Sequence, residues 1–257
     1  MEDVSALLVE NLDLGQRLFK LVLKAPAIAN AAEPGQFVHV KLNGFDAHIL
    51  RRPISVYNAN KDDGTIELII QEVGEGTRFL HDAKLGAQFD LIGPIGHGWS
   101  KCGAGDNVLL VGGGVGAAPL FMQAQNATLA GAKVSVVLGA QTKDALVTLH
   151  DYETLLHESV YCATDDGSFG EHGFCTSIVE RILCEENFDR VFVCGPHPLM
   201  KIVAGLCEKA KVPCEVSIEK RMACGVGACL SCVVDTKSGK KRACVDGPVF
   251  SSEEIVW

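Results

Sequence analysis

With 257 residues, 47% of them hydrophobic, the chain can bury the cores of two domains, or of two domains and a small module. Its formal net charge of −9 argues against nucleic acid or an anionic membrane surface as a partner. Eleven cysteines without a disulfide-like pattern, behind a start with acids where a leader's basic region would be, point to a reducing, cytoplasmic setting.

From residue 1 to about residue 100 the texture is β. Strands are expected at 17–23, 37–42, 54–57, 65–73 and 89–92, separated by Pro34-Gly35, Asn43-Gly44, Asp63-Gly64 and Gly93-Pro94. Short strands at this spacing predict a closed antiparallel β-barrel. Arg52-Pro53-Ile54-Ser55 puts a guanidinium and a hydroxyl on one of these strands. That pair suits a flavin: Arg52 can hold a phosphate bidentately, and Ser55 can hydrogen-bond the ring near its hydride-accepting nitrogen, a catalytic position. The string alone also fits a plain strand start. Gly74-Glu75-Gly76-Thr77 offers a second anion nest, with Thr77 opening a helix through Leu80.

From about residue 106, strands expected at 108–111, 134–138, 160–163, 191–194 and 215–218 alternate with helices expected at 117–130, 143–156, 176–184 and 198–211. This is the rhythm of a doubly wound parallel sheet. Residues 107–132 carry no charge, but glycines, Pro119, Gln123, Gln125 and Asn126 spoil a membrane span and favour a buried strand–turn–helix. The first strand runs into Gly112, Gly113, Gly114, Val115, Gly116 and Ala117, a cradle for the pyrophosphate of a nicotinamide dinucleotide. A tight turn packing helix on sheet would read the same. The acid expected after the second strand is missing, because Gly139-Ala140-Gln141 follows Leu138, so the pattern is not that of a standard dehydrogenase. Asp165 and Asp166 close the third strand. There they would repel a 2′-phosphate and accept ribose hydroxyls, favouring NADH over NADPH, or they form an ordinary solvated turn. Cys194, Gly195 and Pro196 end the fourth strand at the carboxyl edge, where ligands bind; Cys194 is a candidate neighbour of the nicotinamide or an inert buried thiol. The eight histidines, His39 and His48 among them, show no metal spacing and read as structural or exposed.

The densest signal is Cys224, Cys229, Cys232 and Cys244, spaced C-x4-C-x2-C-x11-C. The first three match the C-x4-C-x2-C segment of plant-type [2Fe–2S] sites. Zinc sites usually pair two separate C-x2-4-C knuckles, whereas here Cys224/Cys229 and Cys229/Cys232 share one cysteine and Cys244 follows after eleven residues. Gly225 and Gly227 let the backbone wind around a bulky cluster, and a turn at Ser238-Gly239 makes Cys244 the far strand of a hairpin.

The order R-P-x-S, G-x-G-T, G-P-x-G (93–96), GGGxGxxP, CGP resembles the ferredoxin–NADP reductase superfamily. With the cysteine module at the C-terminal end, it resembles the branch of electron-transfer subunits of class 1B dihydroorotate dehydrogenase; Asp246-Gly247-Pro248 after the last cysteine fits that branch. The resemblance implies a multidomain β plus α/β architecture: an FAD-binding barrel (1–100), an NAD-binding domain (101–218) and a [2Fe–2S] module (219–257). It assigns Arg52, Pro53, Ile54, Ser55, Ile69, Ile70, Gln71, Gly76 and Thr77 to FAD. Gly112, Gly113, Gly114, Gly116, Cys194, Gly195 and Pro196 fall to NAD(H), where the charge argument also puts Asp165, and the four cysteines to the cluster. The aromatic nearest the flavin strand is Tyr57, which leaves the stacking partner of the ring open. The implied partner is an FMN-containing dihydroorotate dehydrogenase catalytic subunit, in a heterotetramer with two copies of each, serving pyrimidine biosynthesis. The flavin subunit of a sulfide dehydrogenase or of a bifurcating NADH-dependent transhydrogenase would share these features, and a redox-sensing FAD/cluster protein would share most.

Overall fold

The computed structural model describes residues 1–45, 49–158 and 160–257; His48 lies outside them. The barrel is built from β1 (Glu2–Gly15), β2 (Leu18–Lys24), helix α1 (Pro26–Ala31), β3 (Phe37–Val40), β4 (Arg52–Ser55), β5 (Asn58–Asn60), β6 (Thr65–Gln71), helix α2 (Glu75–His81) and β7 (Gln88–Ile95). Its antiparallel order is β4-β3-β7-β1-β2-β6-β5. β1 and α1 go beyond the expected strands. Along β1 successive side chains alternate in direction, so that Ala6 and Leu8 reach the core while Ser5, Leu7 and Val9 face outward.

The two ends of that order are consecutive in sequence. β4 pairs with β3, whereas β5 pairs with β6. The switch occurs at two residues: the Val56 N–H donates to the Gln36 carbonyl and the next N–H, on Tyr57, to the Glu67 carbonyl. One bent segment thus closes the barrel at one end. Past the bend the edges part, and among the described residues no strand pairs with the outer edge of β4 or with the outer edge of β6 from residue 68 to 71. This leaves a slot in the wall beside α2.

The second sheet has the order β11-β10-β9-β8-β12-β13-β16. It contains β8 (Asn107–Gly113), α3 (Phe121–Leu129), β9 (Lys133–Ala140), α4 (Leu149–Leu156), β10 (Tyr161–Thr164), β11 (Glu171–His172), α5 (Thr176–Glu185), β12 (Arg190–Cys194), α6 (His197–Ala210) and β13 (Cys214–Ser217). All of these strands run parallel. β8 has its successor β9 on one side and β12 on the other, so the switch point of the winding lies between β8 and β12. Two expected helices are shorter than the sequence suggests. Residues 114–120 form a 3-10 turn containing Pro119, which has no N–H to give an α-helix, and α3 starts only at Phe121. The 143–156 segment breaks at Leu146, leaving a 3-10 turn and then α4.

The last segment forms the hairpin β14 (Val233–Thr236) and β15 (Gly239–Arg242), then returns as β16 (Val249–Ser251), antiparallel to β13. Phe37 and Ile95 of the barrel pack into one core with Val191 and Val216 of the sheet and with Cys232, Val234 and Cys244. On the other side Tyr57 stacks on Phe121 with ring centroids 4.7 Å apart and donates its hydroxyl to the Asp151 carboxylate. Trp99 Nε1 donates to the Pro119 carbonyl at 2.9 Å.

Candidate functional site: a nucleotide cleft, a flavin slot and a cysteine loop

The carboxyl ends of β8, β9, β10, β12 and β13 open onto a cleft of about 850 Å³, whose far wall is Gln16, Leu18 and Gln71 of the barrel. That size suits a cofactor. Gly113, Gly114, Gly116, Asp165, Gly195 and Pro196 all line it. The glycines do two different jobs. A Cβ on Gly116 would sit 2.6 Å from the Gly195 backbone, and one on Gly112 would sit 2.7 Å from Ala117, so these two let chain segments touch. Gly114, at φ +55°, has nothing within 4 Å and presents bare backbone to the cleft. Asp165 is exposed at the rim. Its neighbour Asp166 accepts from the Ser168 hydroxyl and N–H, which hold its carboxyl below the usual range, so the rim is anionic at neutral pH.

Cys194 is 1% exposed, does not line the cleft, and its thiol lies 4.0 Å from the Ser217 carbonyl. Burial pushes it well above the usual thiol range. Of the two readings of Cys194 its placement supports the inert buried thiol, and neither contact with the nicotinamide nor a catalytic role for it.

The flavin-motif residues meet at the barrel slot. Arg52, Pro53, Ile54 and Ser55 are half-buried along the unpaired edge of β4. Facing them is the free edge of Ile69, Ile70 and Gln71; both isoleucine side chains are buried, so backbone is what this edge offers. Gly76 closes one end: a Cβ there would lie 2.5 Å from Arg52 Nε, so the guanidinium lies directly over the first turn of α2. Thr77 does not open that helix, which starts two residues earlier at Glu75. Its hydroxyl accepts from the Val73 and Gly74 N–H groups and donates to the Gly74 carbonyl, so Thr77 shapes the turn. Tyr57 is 1% exposed in the contact with Phe121 and has no free face for a flavin.

The four cysteines gather in one loop and its hairpin as two pairs. Cys232 and Cys244, both buried, have Sγ atoms 3.3 Å apart. Cys224 Sγ accepts from the Cys229 and Val226 N–H groups, each at 3.4 Å. Among the described residues, no three His, Cys, Asp or Glu side chains are placed to hold one metal ion. Two pairs fit a two-iron cluster, in which each iron takes two thiolates, better than they fit a single tetrahedral ion. The loop reverses through Gly225 (φ +69°), Gly227 (φ +82°) and Leu230 (φ +58°). Arg242 braces it, donating to the Gly227 carbonyl at 3.1 Å while Asp246 accepts from the Arg242 N–H at 2.8 Å. Hydrogen bonds from Ser231 and from Cys224 lower the exposed Cys229 thiol to about 6, so it is ready as a thiolate ligand.

One residue beside this loop escaped the sequence reading. His39 on β3 is fully buried, and neither ring nitrogen has a partner. The only signal was a histidine inside the apolar run Phe37-Val38-His39-Val40.

A flavin slot on a barrel, a nucleotide cleft at a switch point and a paired-cysteine loop together define an iron–sulfur flavoprotein of the ferredoxin-reductase type. Comparison with known proteins agrees: an oxidoreductase FAD-binding domain matches residues 8–99, an oxidoreductase NAD-binding domain residues 110–205, and the iron-sulfur cluster binding domain of dihydroorotate dehydrogenase B residues 219–256. The electron transfer subunit of dihydroorotate dehydrogenase B (NAD(+)) from Desulforamulus reducens is 40% identical over 91% of this chain and 90% of its own. The Bacillus cereus protein of the same name is 36% identical over 100% of this chain and 99% of its own. The chain belongs to the family of dihydroorotate dehydrogenase B electron transfer subunits, and it binds FAD, NAD(H) and an iron–sulfur cluster. Among solved structures, the NADH-dependent reduced ferredoxin-NADP oxidoreductase, determined in work on flavin-based electron bifurcation, superposes with a TM-score of 0.90. It is 32% identical and covers 98% of this chain and 90% of its own. A ferredoxin reductase of carbazole 1,9a-dioxygenase, 24% identical with a TM-score of 0.68 over 82% of this chain and 67% of its own, shares the fold.

Proposed function

We propose that the chain carries electrons between an FMN-containing dihydroorotate dehydrogenase subunit and NAD+, through a [2Fe–2S] cluster and FAD, in a cytoplasmic heterotetramer with two copies of each subunit. FAD, when bound, exchanges two electrons with nicotinamide and single electrons with the cluster. Arg52, with Gly76 beneath it, would hold its phosphate; Pro53, Ile54, Ser55 and the edge of Ile69, Ile70 and Gln71 would receive the ring, with the Ser55 hydroxyl available to hydrogen-bond it. Gly113, Gly114, Gly116, Gly195 and Pro196 seat the dinucleotide, Gly112 packs the turn beneath them without lining the cleft, and Asp165 takes the ribose hydroxyls. Cys224 and Cys229 hold one iron, Cys232 and Cys244 the other.

The observation that carries this reading is the position of β3. Along one edge it pairs with the flavin strand β4, with Val38 opposite Ile54. On its outer face Phe37 packs into the core that contains Cys232 and Cys244. One strand therefore separates the flavin slot from the cluster, while Gln71 at the slot also lines the nucleotide cleft. Exposed Val226 and Leu230 at the cysteine loop and Met1 beside it leave an apolar rim around the cluster, suited to a docked partner. Among the described residues no helix is long and apolar enough to cross a membrane, which fits the proposed cytoplasmic location.

The test is anaerobic co-purification with the partner, an absorbance spectrum, and a dihydroorotate/NAD+ assay. Orotate formation coupled to NADH is expected. A partner without FMN and no orotate would sink the reading. The likeness to the bifurcating oxidoreductase favours a second reading, a flavin subunit of a related transhydrogenase; it predicts a reduced-ferredoxin/NADP+ reaction from the same preparation.

A further inference from the structure

We propose that His39 is a hydrogen-bond donor to the iron–sulfur cluster, tying the cluster to the strand beside the flavin and raising its reduction potential. The inference rests on the cluster reading of the four cysteines.

β3 alternates. Val38 and Val40 point into the barrel core, and Phe37 and His39 point the other way. Phe37 enters the core of Cys232 and Cys244. His39, two residues on and edge-on to Phe37 at 6.3 Å, faces the same module at the cysteine loop. There it meets Gly225, which follows Cys224: a Cβ on Gly225 would lie 2.6 Å from His39 Nδ1. The loop therefore needs glycine at this point for its left-handed turn and also to admit the imidazole.

An imidazole carries at least one N–H in either protonation state. His39 is 0% exposed, so water cannot serve that donor, and neither ring nitrogen is bonded to protein. Buried donors are almost always paired. The neighbouring group that would supply an acceptor is the cluster, whose thiolate and sulfide sulfurs are rich in lone pairs. Reduction of a bound cluster would take one iron from ferric to ferrous and leave more negative charge on its sulfur ligands, so a donor aimed at those sulfurs would stabilise the reduced form and raise the potential.

The experiment compares the full chain, loaded and anaerobic, as wild type, His39→Phe and His39→Asn. The readouts are iron content, the potential of each centre by EPR-monitored titration, and ¹⁴N and exchangeable-proton couplings of the reduced cluster, with ¹⁵N-histidine labelling for assignment. Expected are a histidine nitrogen coupling in wild type, its loss with a more negative cluster potential in His39→Phe, and a partial return in His39→Asn, which restores a donor near Nδ1. The FAD potential should not move. An unchanged cluster potential in an iron-replete His39→Phe would overturn the proposal. If that variant fails to hold iron, the wild-type spectrum decides: no histidine coupling overturns it. Wild type without two irons per chain would instead overturn the cluster reading itself.

Discussion

The barrel is held on two sides by opposite means. Toward the nucleotide sheet it uses large side chains: Tyr57 stacked on Phe121 and bonded to Asp151, and Trp99 bonded to the Pro119 carbonyl and packed edge-on to Phe192 at 5.6 Å. Toward the cluster Phe37 and Ile95 also pack, but the closest approaches come where side chains are missing. Gly225 admits His39, and a Cβ on Gly96 would lie 2.5 Å from the Gly247 carbonyl, whose oxygen accepts from the His97 N–H at 2.6 Å. The aromatic side holds two domains together at a distance that leaves a cofactor cleft. The glycine side brings backbone against backbone, as suits a site whose contents must lie close to the flavin strand.

The strongest way to break this contrast is to empty the cluster side. Cys224→Ser should abolish the cluster and orotate-coupled turnover while NADH-dependent dye reduction is largely kept. Equal loss of both activities would mean that the flavin does not lie on the nicotinamide side of the cluster. Next comes a matched pair of glycines, both at positive φ. Gly225→Ala adds collision with the His39 ring to backbone strain, and should cost about 2–3 kcal/mol and lower iron content. Gly114→Ala meets nothing within 4 Å, so it should cost about 1 kcal/mol and appear mainly in the KM for NADH. Equal melting temperatures and equal iron content for the two variants would dissolve the distinction between contact glycines and cleft glycines.

On the aromatic side, Tyr57→Phe keeps the stack and removes the hydroxyl bonded to Asp151. A loss of about 1 kcal/mol in denaturant melts is expected, with cluster potential untouched. The smallest effect concerns thiol chemistry after chelation of iron. Alkylation of Cys229 should rise as pH passes about 6, whereas Cys244, pushed by burial to about 12, stays protonated and unreactive across neutral pH. Ser231→Ala should move the Cys229 midpoint upward, readable by mass spectrometry of the labelled peptides.

Local chemistry made much of the architecture legible. The β8–β13 alternation, the glycine turn and the cysteine spacing each carry their signal in short runs of neighbouring residues. What the sequence hid was non-local. β1 reads as an acidic start because its apolar residues find their core only when β2 and β7 flank it. Tyr57 looks like a flavin neighbour until Phe121, far along the chain, claims its face. His39 reads as one more histidine, since its meaning depends on a loop nearly two hundred residues away. Pro119 is visible in the sequence, but the 3-10 turn that contains it delays the helix to Phe121.

The return of β16 to the nucleotide sheet has a consequence for engineering. Residues 218–248 leave from β13 and come back beside it, with Ser217 and Val249 as antiparallel partners. The cluster-bearing stretch is thus an insert in a hairpin, one whose Cys232, Val234 and Cys244 share a core with the barrel and the sheet. A two-residue turn joining Ser217 to Val249 would close that hairpin directly. The shortened chain should keep its sheet and most of its cleft, and act as a flavin reductase with no wire to a partner.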